Sequence, residues 1–487
     1  MEAIIKIIFF LIVSLMPLWA IVVLIRGLMF KPSYSNSVAV EPVGIEDPST
    51  QASIVQRFQD MIRVKTISYQ DRSKIDVEAF EAFKHVLEKN YPNIHKTCTR
   101  EFHGDSGILY HWKGRTGGDP VVLMSHYDVV PVNEELWTKP PFGAVLENGV
   151  IWGRGTLDTK GTLCGVVEAV EKLIGEGFVP ECDFYLSFSG DEEISGNSAP
   201  SNVAVLKSRG IKPKLVLDEG GAVVENVFPG VKRPAALIGV GEKGYMDVVL
   251  EMSGKGGHAS APPAHTLVGS LANAVVKLEK HPFKAEISPA VKEMFERMGR
   301  HSTFTYRLIF ANLWCFGPLL KWLFTKQGGE MNALIRTTIA PTVMEGSKAF
   351  NVMPPKAQVG LNLRLMRTDT IESAIAHIEK VIDDPEIKVS SPHSHNASPI
   401  SKTESDGWDK VEKAIRGTWK DTIVSPYLML AASDSRHYCE ISDHVLRFSA
   451  MTLSLEERGL IHSNDERITV KALMETVGFY IRLIKQF

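Results

Sequence analysis

Three adjacent carboxylates, Asp191 to Glu193, follow the alternating apolar run "FYLSFS". Such a run predicts a buried strand, and carboxylates at its end repel one another and are costly to bury unless positive charge compensates. Other candidates follow or lie near further apolar stretches: His126 and Asp128 in "SHYDVVP", Asp158 in "GRGTLDTKG", Asp218 in "LDEGG" and His462 in "LIHSNDERI". These residue types bind metal ions or move protons.

Each of these side chains, taken alone, has an ordinary structural explanation. A histidine after a strand is commonly hydrogen-bonded within the fold, an aspartate in a glycine-rich turn commonly caps a helix, and three acids can form a solvated loop. Together, two histidines and several acids lack nearby basic residues, and divalent cations would supply the missing positive charge. The five cysteines form no CxxC pair, so histidine and carboxylate must hold such a metal. This donor set suits zinc, and also manganese or cobalt.

The elements that must position these residues alternate between strands and helices. "VVLMSHYDVVPV" and "PKLVLDEGG" contain short apolar runs that end in polar residues, and "GTLCGVVEAVEKLIGEG" has apolar residues at helical spacing and a closing glycine. This alternation predicts an α/β fold with a mainly parallel sheet and helices on both faces. Because ligands gather at the carboxyl ends of parallel strands, we expect the candidate residues to meet there.

A different pattern begins near Lys243. "YMDVVLEMSG" and "AQVGLNLRLM" read as strands, whereas residues 266–279 and 371–382 have helical spacing. We therefore expect a smaller α+β domain, residues 243–391, inserted between the two parts of a catalytic domain, residues 54–242 and 392–487.

The N-terminus carries a run of 19 uncharged residues, Ile7 to Ile25, between Lys6 and Arg26. That length can cross a bilayer as a helix, and no small-x-small cleavage site follows it, which favours a retained anchor over a cleaved signal peptide. We expect a single-pass membrane protein with an anchor at residues 1–31, a linker at residues 32–53, and a catalytic domain on the extracytoplasmic or lumenal side.

A second apolar segment, Leu308 to Phe324, lies inside the predicted insertion. Asn312, Gly317-Pro318 and Lys321 interrupt it, which argues against a second membrane span. It is either a helical hairpin in the core or an exposed apolar surface that faces a membrane or a lipid-like substrate.

Composition excludes some classes of function. The chain has 487 residues and a net charge of −3, so no basic field favours nucleic acid. No GxSxG motif occurs, and no cysteine lies in a recognised nucleophile setting, which argues against a serine or cysteine hydrolase.

Six motifs occur along the chain in this order: "SHYDVVP", "GRGTLDTKG", "SGDEEISG", "LDEGG", "GKGGHAS" and "HSNDERI". In that order they resemble the di-zinc metallopeptidase and amidohydrolase family of aminoacylase, acetylornithine deacetylase and carboxypeptidase S. "DEGG", "SDSRHY" and the N-terminal segment look closest to the carboxypeptidase S branch, which includes the N-fatty-acyl-amino-acid hydrolase/synthases.

The resemblance implies two zinc ions per chain, with manganese or cobalt as substitutes. The implied ligands are His126 and Asp218 for one ion, Glu193 and His462 for the other, and Asp158 as a bridge. Glu219 is the alternative to Asp218, because either side chain of this pair could point inward.

The same resemblance implies three further features. Glu192 would act as the general base, and Asp128 would accept the second N–H of His126 and fix its tautomer. The peptide bond between Asp158 and Thr159 would be cis.

The inserted domain supplies other candidates by resemblance. His258 would reach a neighbouring active site in a homodimer and polarise the scissile carbonyl. Asn351 and Arg364 match positions that bind the substrate's carboxylate, and Arg436 in "SDSRHY" is a further candidate for that task. A surface ion pair is the ordinary alternative for Arg364.

The sequence therefore predicts a membrane-anchored di-zinc hydrolase that cleaves an amide bond beside a free carboxylate. The small-molecule substrate would be a short peptide or an N-acyl amino acid, with N-fatty-acyl amino acids as one class. The alternative from another class is an inactive receptor or scaffold at the membrane, which predicts loss of Glu192 or of a ligand.

Overall fold

The computed structural model describes residues 2–32 and 41–487, with side chains from residue 14 onwards in the first range. The helices, in chain order, are α1 (Glu2–Met29), α2 (Pro48–Arg63), α3 (Val77–Asn90), α4 (Pro92–Thr97), α5 (Lys160–Gly175), α6 (Ser198–Ser208), α7 (Leu267–Lys280), α8 (Pro289–Gly299), α9 (Phe304–Phe310), α10 (Leu313–Gln327), α11 (Gly329–Ala333), α12 (Ile371–Ile382), α13 (Asp406–Thr418), α14 (Ser435–Tyr438), α15 (Leu455–Arg458) and α16 (Val470–Ile484). Short 3-10 turns occupy Arg72–Lys74, Glu134–Leu136 and Glu192–Ile194.

The strands, in chain order, are β1 (Thr99–His103), β2 (Gly107–Trp112), β3 (Val121–His126), β4 (Val145–Glu147), β5 (Val150–Trp152), β6 (Phe184–Ser189), β7 (Leu215–Val224), β8 (Ala235–Glu242), β9 (Gly244–Ser253), β10 (Gly257–His258), β11 (Thr338–Glu345), β12 (Val352–Met353), β13 (Lys356–Leu365), β14 (Lys388–Ser390), β15 (Ser394–His395), β16 (Ile423–Met429), β17 (Val445–Leu453) and β18 (Arg467–Thr469).

The largest sheet within the described residues has eight strands in the order β1-β2-β6-β3-β7-β17-β8-β16. Its centre is parallel, because β3 pairs in parallel with β6 and β7, and β17 pairs in parallel with β7. The sheet is nevertheless mixed, whereas the sequence predicted a mainly parallel one. The difference arises because β2 forms an antiparallel hairpin with β1 and then pairs antiparallel with β6, and because β8 runs antiparallel to β7 and β17.

Strand β3 shows why helices cover both faces of this sheet. All six of its residues are buried, and alternate side chains enter different cores. Val121 and Leu123 join the core that contains α5 and α16, whereas Val122 and Met124 join the core that contains α6 and α14. The predicted α/β class with helices on both faces is confirmed.

A second sheet lies between residues 244 and 395, within the predicted insertion. Its strand order is β11-β13-β9-β14, with β15 also paired to β9. Strand β13 alternates between buried and less buried residues, so only one face of the sheet is covered, and α7 and α12 contribute to the same core. The exact domain boundaries stay a prediction.

Helices α8 to α11 lie inside the predicted insertion but pack back towards the large sheet. Phe295 of α8, Phe310 of α9 and Phe324 of α10 share one core with Ile423 and Leu428 of strand β16. The apolar segment from Leu308 to Phe324 is therefore a hairpin with one buried face, which we call the α9–α10 hairpin. Its other face is exposed, since Trp314 and Trp322 are 60% and 53% accessible to solvent.

The N-terminal helix α1 packs against the α9–α10 hairpin, where the guanidinium of Arg26 donates to the backbone carbonyl of Ala311. Among the helices whose side chains are described, none is by itself both long and apolar enough to cross a bilayer. Helices α9 and α10 meet those criteria only as a pair, and they are bent by 108° relative to each other. The side chains of the first 13 residues of the predicted anchor, and residues 33–40 of the predicted linker, lie outside what the structure describes.

Helix α2 begins at Pro48, inside the predicted linker. Asp47 caps it by accepting hydrogen bonds from the backbone N–H groups of Ser49 and Thr50, and Pro48 occupies the first turn.

Candidate active site

The candidate residues converge at the carboxyl ends of three neighbouring strands. His126 is the last residue of β3, and the Glu192–Ile194 turn follows β6. Glu219 lies within β7, two positions past Leu217, the last residue of β7 that pairs with β3. These strands are adjacent in the order β6-β3-β7, so the polar residues after them share one edge of the sheet. Asp158 approaches from the loop before α5, and His462 from the loop between α15 and β18.

One carboxylate, that of Asp158, lies between two imidazoles. Its Oδ1 is 2.9 Å from Nε2 of His126, and its Oδ2 is 2.9 Å from Nε2 of His462. Nε2 of His462 also lies 3.1 Å from Oε2 of Glu193. The Asp158–Thr159 peptide bond is cis, as the resemblance implies.

Glu219, rather than Asp218, joins His126 in this structure. Oε1 of Glu219 lies 3.4 Å from Nε2 of His126. The Asp218 carboxylate turns the other way, and its Oδ2 accepts a hydrogen bond from the backbone N–H of Ser435 at 3.0 Å. Successive side chains of a strand point to opposite faces, so only one of the pair faces the histidine. The geometry therefore favours Glu219, the alternative that the sequence left open, and the choice of ligand stays a prediction.

The buried side chain of Asp128 connects His126 to the acidic turn. Its Oδ1 lies 3.3 Å from Nδ1 of His126, which is also 3.0 Å from the backbone carbonyl of Asp128. The same carboxylate accepts hydrogen bonds from the backbone N–H groups of Glu192 and Glu193 and from the hydroxyl of Ser68. These contacts place Asp128 where it can orient His126, and its orienting role stays a prediction.

Acidic side chains outnumber basic ones around His126 and His462. Hydrogen bonds that His462 donates to the carboxylates of Asp158 and Glu193 raise its pKa to about 10, and burial raises the pKa of Glu219 to about 8. Burial also raises the pKa of Glu193, with the charge of Asp158 acting in the same direction. Within the described part of the chain, no lysine or arginine forms an ion pair with Asp158, Glu193 or Glu219.

These residues fit divalent metal ions. Two groups can be drawn within the described residues, one of His126, Asp158 and Glu193 and one of His126, Glu192 and Glu219, and in each the potential ligand atoms lie within 4.8 Å of one another. Oε1 of Glu193 is buried without a hydrogen-bond partner. An orphaned carboxylate oxygen among imidazoles and further carboxylates is the donor set of a hard or borderline cation.

Glu192 lies beside these groups, together with an acid that the sequence did not single out. Burial raises the pKa of Glu192 well above its usual range, and among nearby charges His126 opposes this while Asp434 adds to it. Burial likewise raises the pKa of Asp434 to about 7. The motif "SDSRHY" pointed to its arginine, although its aspartate, Asp434, is an equally visible signal.

Glu466 is a second residue that the sequence did not single out, and it fixes the loop that carries Asp158. Its carboxylate is fully buried and accepts hydrogen bonds from the backbone N–H groups of Gly155, Leu157 and Asp158 and from the guanidinium of Arg154. It lies only four residues after His462 in "HSNDERI", but nothing in the sequence indicates a partner loop some 300 positions away.

The remaining predicted residues lie apart from the histidine pair. His258 and Asn351 are exposed neighbours on the second sheet's side, where the N–H of Ala259 donates to the carbonyl of Asn351 and Nδ1 of His258 lies 2.7 Å from the Ser260 hydroxyl. Within the described residues, no hydrogen bond or ion pair joins His258 to the His126 group. Its predicted role in a partner's site stays a prediction.

Arg364 and Arg436 lie at the junction of the two sheets. Arg364 stacks over the ring of Tyr245 at 4.8 Å, and Nη1 of Arg436 donates to the carbonyl of Ser433. Burial lowers the pKa of His395, and the charges of both arginines act in the same direction. The buried Lys243 adds to this cationic region, with a pKa that burial and Arg364 lower to about 7.

Comparison with known proteins decides the family. The model of peptidase family M20/M25/M40 matches residues 122–486. The chain belongs to this family. It is an enzyme of the metallopeptidase and amidohydrolase class, and the predicted resemblance is confirmed.

Two relatives and one solved structure illustrate the match. The chain is 34% identical over 443 residues to a probable carboxypeptidase S-like protein of Dictyostelium discoideum, covering 89% of this chain and 84% of that one. It is 30% identical over 442 residues to the N-fatty-acyl-amino acid synthase/hydrolase of Homo sapiens, covering 89% and 88%. An M20 metallo-carboxypeptidase from Sulfolobus solfataricus shares the fold, with a TM-score of 0.67 at 16% identity, covering 89% and 98% of the two chains.

Proposed function

We propose that this protein hydrolyses an amide bond beside a free carboxylate, and that its substrates are N-acyl amino acids. The observation that carries the proposal is the shared carboxylate of Asp158, which lies within hydrogen-bond distance of two histidines, each with a further acid beside it. Glu192 completes the arrangement as an acid close to the group without an ion pair among the described residues.

Two zinc ions are the proposed cofactors, with manganese or cobalt as substitutes. His126 and Glu219 would hold one ion, Glu193 and His462 the other, and Asp158 would contact both. When bound, such ions make water more acidic and polarise a carbonyl group.

The chain's own residues would divide the remaining work. Glu192 would accept a proton from the attacking water and pass it to the leaving amine. Asp128 would hold His126 in one tautomer, and through its bonds to two backbone N–H groups it would hold the Glu192–Glu193 turn beside it. Both side chains are thus held in place by contacts at one edge of the large sheet.

The substrate's carboxylate would bind at the cationic junction of the two sheets. Arg364 and Arg436 both lie close enough to His395 to lower its pKa, and Lys243 lies close to Arg364. A guanidinium binds a carboxylate through two parallel hydrogen bonds, which suits the selection of a free acid over an amide or ester.

The names of the relatives include both carboxypeptidases and N-fatty-acyl-amino acid hydrolases, and both substrate classes carry a free carboxylate beside the cleaved bond. The exposed apolar face of the α9–α10 hairpin favours the acyl class, because an amphiphilic N-acyl amino acid can arrive from a membrane that contacts this face. The test is hydrolysis of a matched panel of dipeptides and N-acyl amino acids by the metal-loaded protein. Preferential cleavage of N-acyl amino acids supports the proposal, and preferential cleavage of dipeptides would reassign the protein as a carboxypeptidase.

We further propose that α1 and the α9–α10 hairpin form one surface that binds a phospholipid bilayer. Nδ2 of Asn312 donates to the carbonyl of Val23, and the guanidinium of Arg26 donates twice to the carbonyl of Ala311. The ring of Trp19 lies 6.3 Å from that of Phe316. Helix α1 is thus fixed on the hairpin rather than tethered loosely.

The charge of this surface suits anionic lipid headgroups. No acidic residue occurs in residues 3–40 or 301–329, whereas Arg26, Lys321 and Lys326 do. Nζ of Lys326 lies 4.9 Å from the ring of Trp322, a pairing of aromatic and cationic groups that suits a membrane interface. The proposed topology places the catalytic part on the extracytoplasmic or lumenal side of the membrane.

Flotation of the full chain with vesicles tests the surface. Replacement of Trp314 and Trp322 by Ser should weaken recovery with vesicles that contain phosphatidylserine, whereas replacement of the even more exposed Leu136 and Leu455 by Ser should not. Equal recovery of both double variants would contradict a role for the hairpin. Protease protection in intact microsomes tests the topology separately.

A further inference from the structure

A cleft of about 320 Å³ lies beside the second sheet and shares no residue with the metal-binding group. It opens between the end of α7 and the segment from α10 to β11. Its walls are partly apolar and partly polar, and they include Leu278, Glu279, Phe283, Asn332, Arg336 and Ile339. This volume lies at the small end of the range for ligand sites, so it suits a small molecule.

The cleft contains a buried cation, Arg336, with no acid paired to it among the described residues, since Glu279 on the same wall is exposed. Arg336 is 6% accessible to solvent, and Nη2 donates to the hydroxyl of Thr325 while Nε has no hydrogen-bond partner. Within the described residues, no carboxylate forms an ion pair with Arg336, and burial alone lowers its pKa. A buried guanidinium without an anion is costly, so the site is built for an anionic group.

A buried acceptor and an apolar wall define the rest of the ligand. Oδ1 of Asn332 is buried without a hydrogen-bond partner and therefore matches an N–H donor. Leu278 and Phe283 are buried, and with Ile339 they form an apolar side. Asn332 and Arg336 lie four positions apart and line the same cleft, so one small molecule can offer an N–H group to the first and an anion to the second.

We propose that this cleft binds a molecule with a carboxylate, an N–H group on the adjacent carbon and an apolar side chain. The carboxylate binds Arg336, the N–H group donates to Asn332, and the side chain packs against Leu278 and Phe283. This is the chemistry of an apolar amino acid and of its N-acyl derivative.

The cleft lies next to the connection between the two sheets. Nζ of Lys243, which separates β8 from β9, donates to the backbone carbonyls of Ala333 and Arg336. A ligand on Arg336 therefore contacts the same segment that binds Lys243 and so holds the link between β8 and β9. If the proposed function holds, the ligand is a product or a substrate of the enzyme, and its binding here would alter KM for hydrolysis.

Photo-crosslinking with diazirine leucine and with its N-acetyl derivative tests the site in the full chain. The background variant Glu192→Gln prevents turnover of the acylated probe. We expect labelled peptides that contain residues 278–283 or 336–341. Arg336→Met should reduce this labelling by roughly tenfold or more, as expected for loss of a charged hydrogen-bonding partner. Arg115→Met, which removes an exposed arginine elsewhere, should leave it unchanged.

A second variant tests the same cleft from its apolar side, and labelling at the catalytic site shows whether each variant still folds. Ile339→Trp leaves Arg336 in place but fills the cleft, and it should abolish the same labelling. Absence of labelling in the cleft, or labelling that survives both Arg336→Met and Ile339→Trp, would overturn the proposal. Labelling of peptides around His126 and Glu219 reports on the catalytic site independently, and the two probes distinguish the free amino acid from its acylated form.

Discussion

At the scale of single residues, the site depends on how acids are shared. The carboxylate of Asp158 contacts both His126 and His462. Glu193 contacts His462, Glu219 contacts His126, and Glu192 forms an ion pair with neither histidine. Glu192 nonetheless lies within 4.8 Å of ligand atoms of His126 and Glu219. Its neighbourhood alone thus permits two tasks, metal ligand or proton carrier, and these tasks differ in a measurable way.

Replacement of Glu192 by Gln should leave metal content near about two ions per chain while kcat falls by roughly two to four orders of magnitude, because only a proton acceptor is lost. Metal content by mass spectrometry and kcat on one substrate are the measurements. Glu193→Gln is the matched control, and it should lose metal. Loss of metal from Glu192→Gln as well would make Glu192 a ligand.

Neighbouring acids in β7 give a second test. Glu219→Gln should reduce metal content from about two ions towards about one, because the oxygen beside His126 is removed. Asp218→Asn should retain both ions, since its carboxylate is bonded to the backbone of Ser435. The reverse pattern would restore Asp218 as the ligand.

At the scale of elements, the loop before α5 is held by a group far away in the chain. The fully buried carboxylate of Glu466 accepts hydrogen bonds from three backbone N–H groups of this loop and from Arg154. Its position between His462 and strand β18 joins two of the segments that carry candidate ligands. The geometry of Asp158 therefore depends on a residue outside the loop.

Glu466→Gln should reduce the free energy of unfolding by about 3–5 kcal/mol, because it leaves Arg154 buried without its charge partner and turns an N–H group towards backbone donors. Urea denaturation measures this change. Glu456→Gln, which breaks an exposed pair with Arg467, should change it by less than about 0.5 kcal/mol. Similar values for the two variants would contradict the structural role.

Residues at strand ends could be predicted from the sequence, whereas residues that depend on distant contacts could not. His126 and the Asp191–Glu193 turn could be placed because each follows an apolar run, and parallel strands bring such ends together. Asp218 and Glu219 could not be separated, because a one-residue shift in a strand reverses which side chain faces the site. Glu466 was missed because its partners lie some 300 positions away in the chain, whereas Asp434 was visible in "SDSRHY" and was passed over for the arginine of that motif.

The layout of larger segments shows the same limit. Alternation of strands and helices predicted the α/β class, but antiparallel pairing of β8 depends on where β17 inserts. The apolar content of the α9–α10 hairpin was visible, whereas its split into a buried and an exposed face depends on strand β16 and α1.

At the scale of the whole molecule, the position of His258 raises the question of assembly. It is exposed and makes no contact with the His126 group within one described chain. If it completes a partner's site, the protein forms a homodimer through the second sheet's domain that buries at least about 1,000 Å². Mixing inactive His258→Ala chains with inactive Glu192→Gln chains should then restore activity. No recovery after demonstrated subunit exchange would favour a site completed within one chain.

The α9–α10 hairpin gives a prediction about substrate length. Each methylene group removed from water contributes about 0.8 kcal/mol, so kcat/KM should rise by up to a few-fold per acyl carbon until the site is full. Replacement of Trp314, Phe316 and Trp322 by Ser should reduce kcat/KM for long-chain substrates and spare N-acetyl substrates. An equal effect on both classes would exclude a role in acyl binding.

Strand β17 also has a consequence for how the protein is made. It lies between β7 and β8, although the chain reaches it only after the whole second sheet has been synthesised. A ribosome therefore releases the residues of the second sheet while the large sheet still has a gap at its centre. The inserted domain can fold early from its own contacts. The large sheet cannot be completed until β17 has been synthesised, and until then β7 and β8 expose apolar edges. Chaperone dependence during synthesis should accordingly be confined to the domain that contains the large sheet.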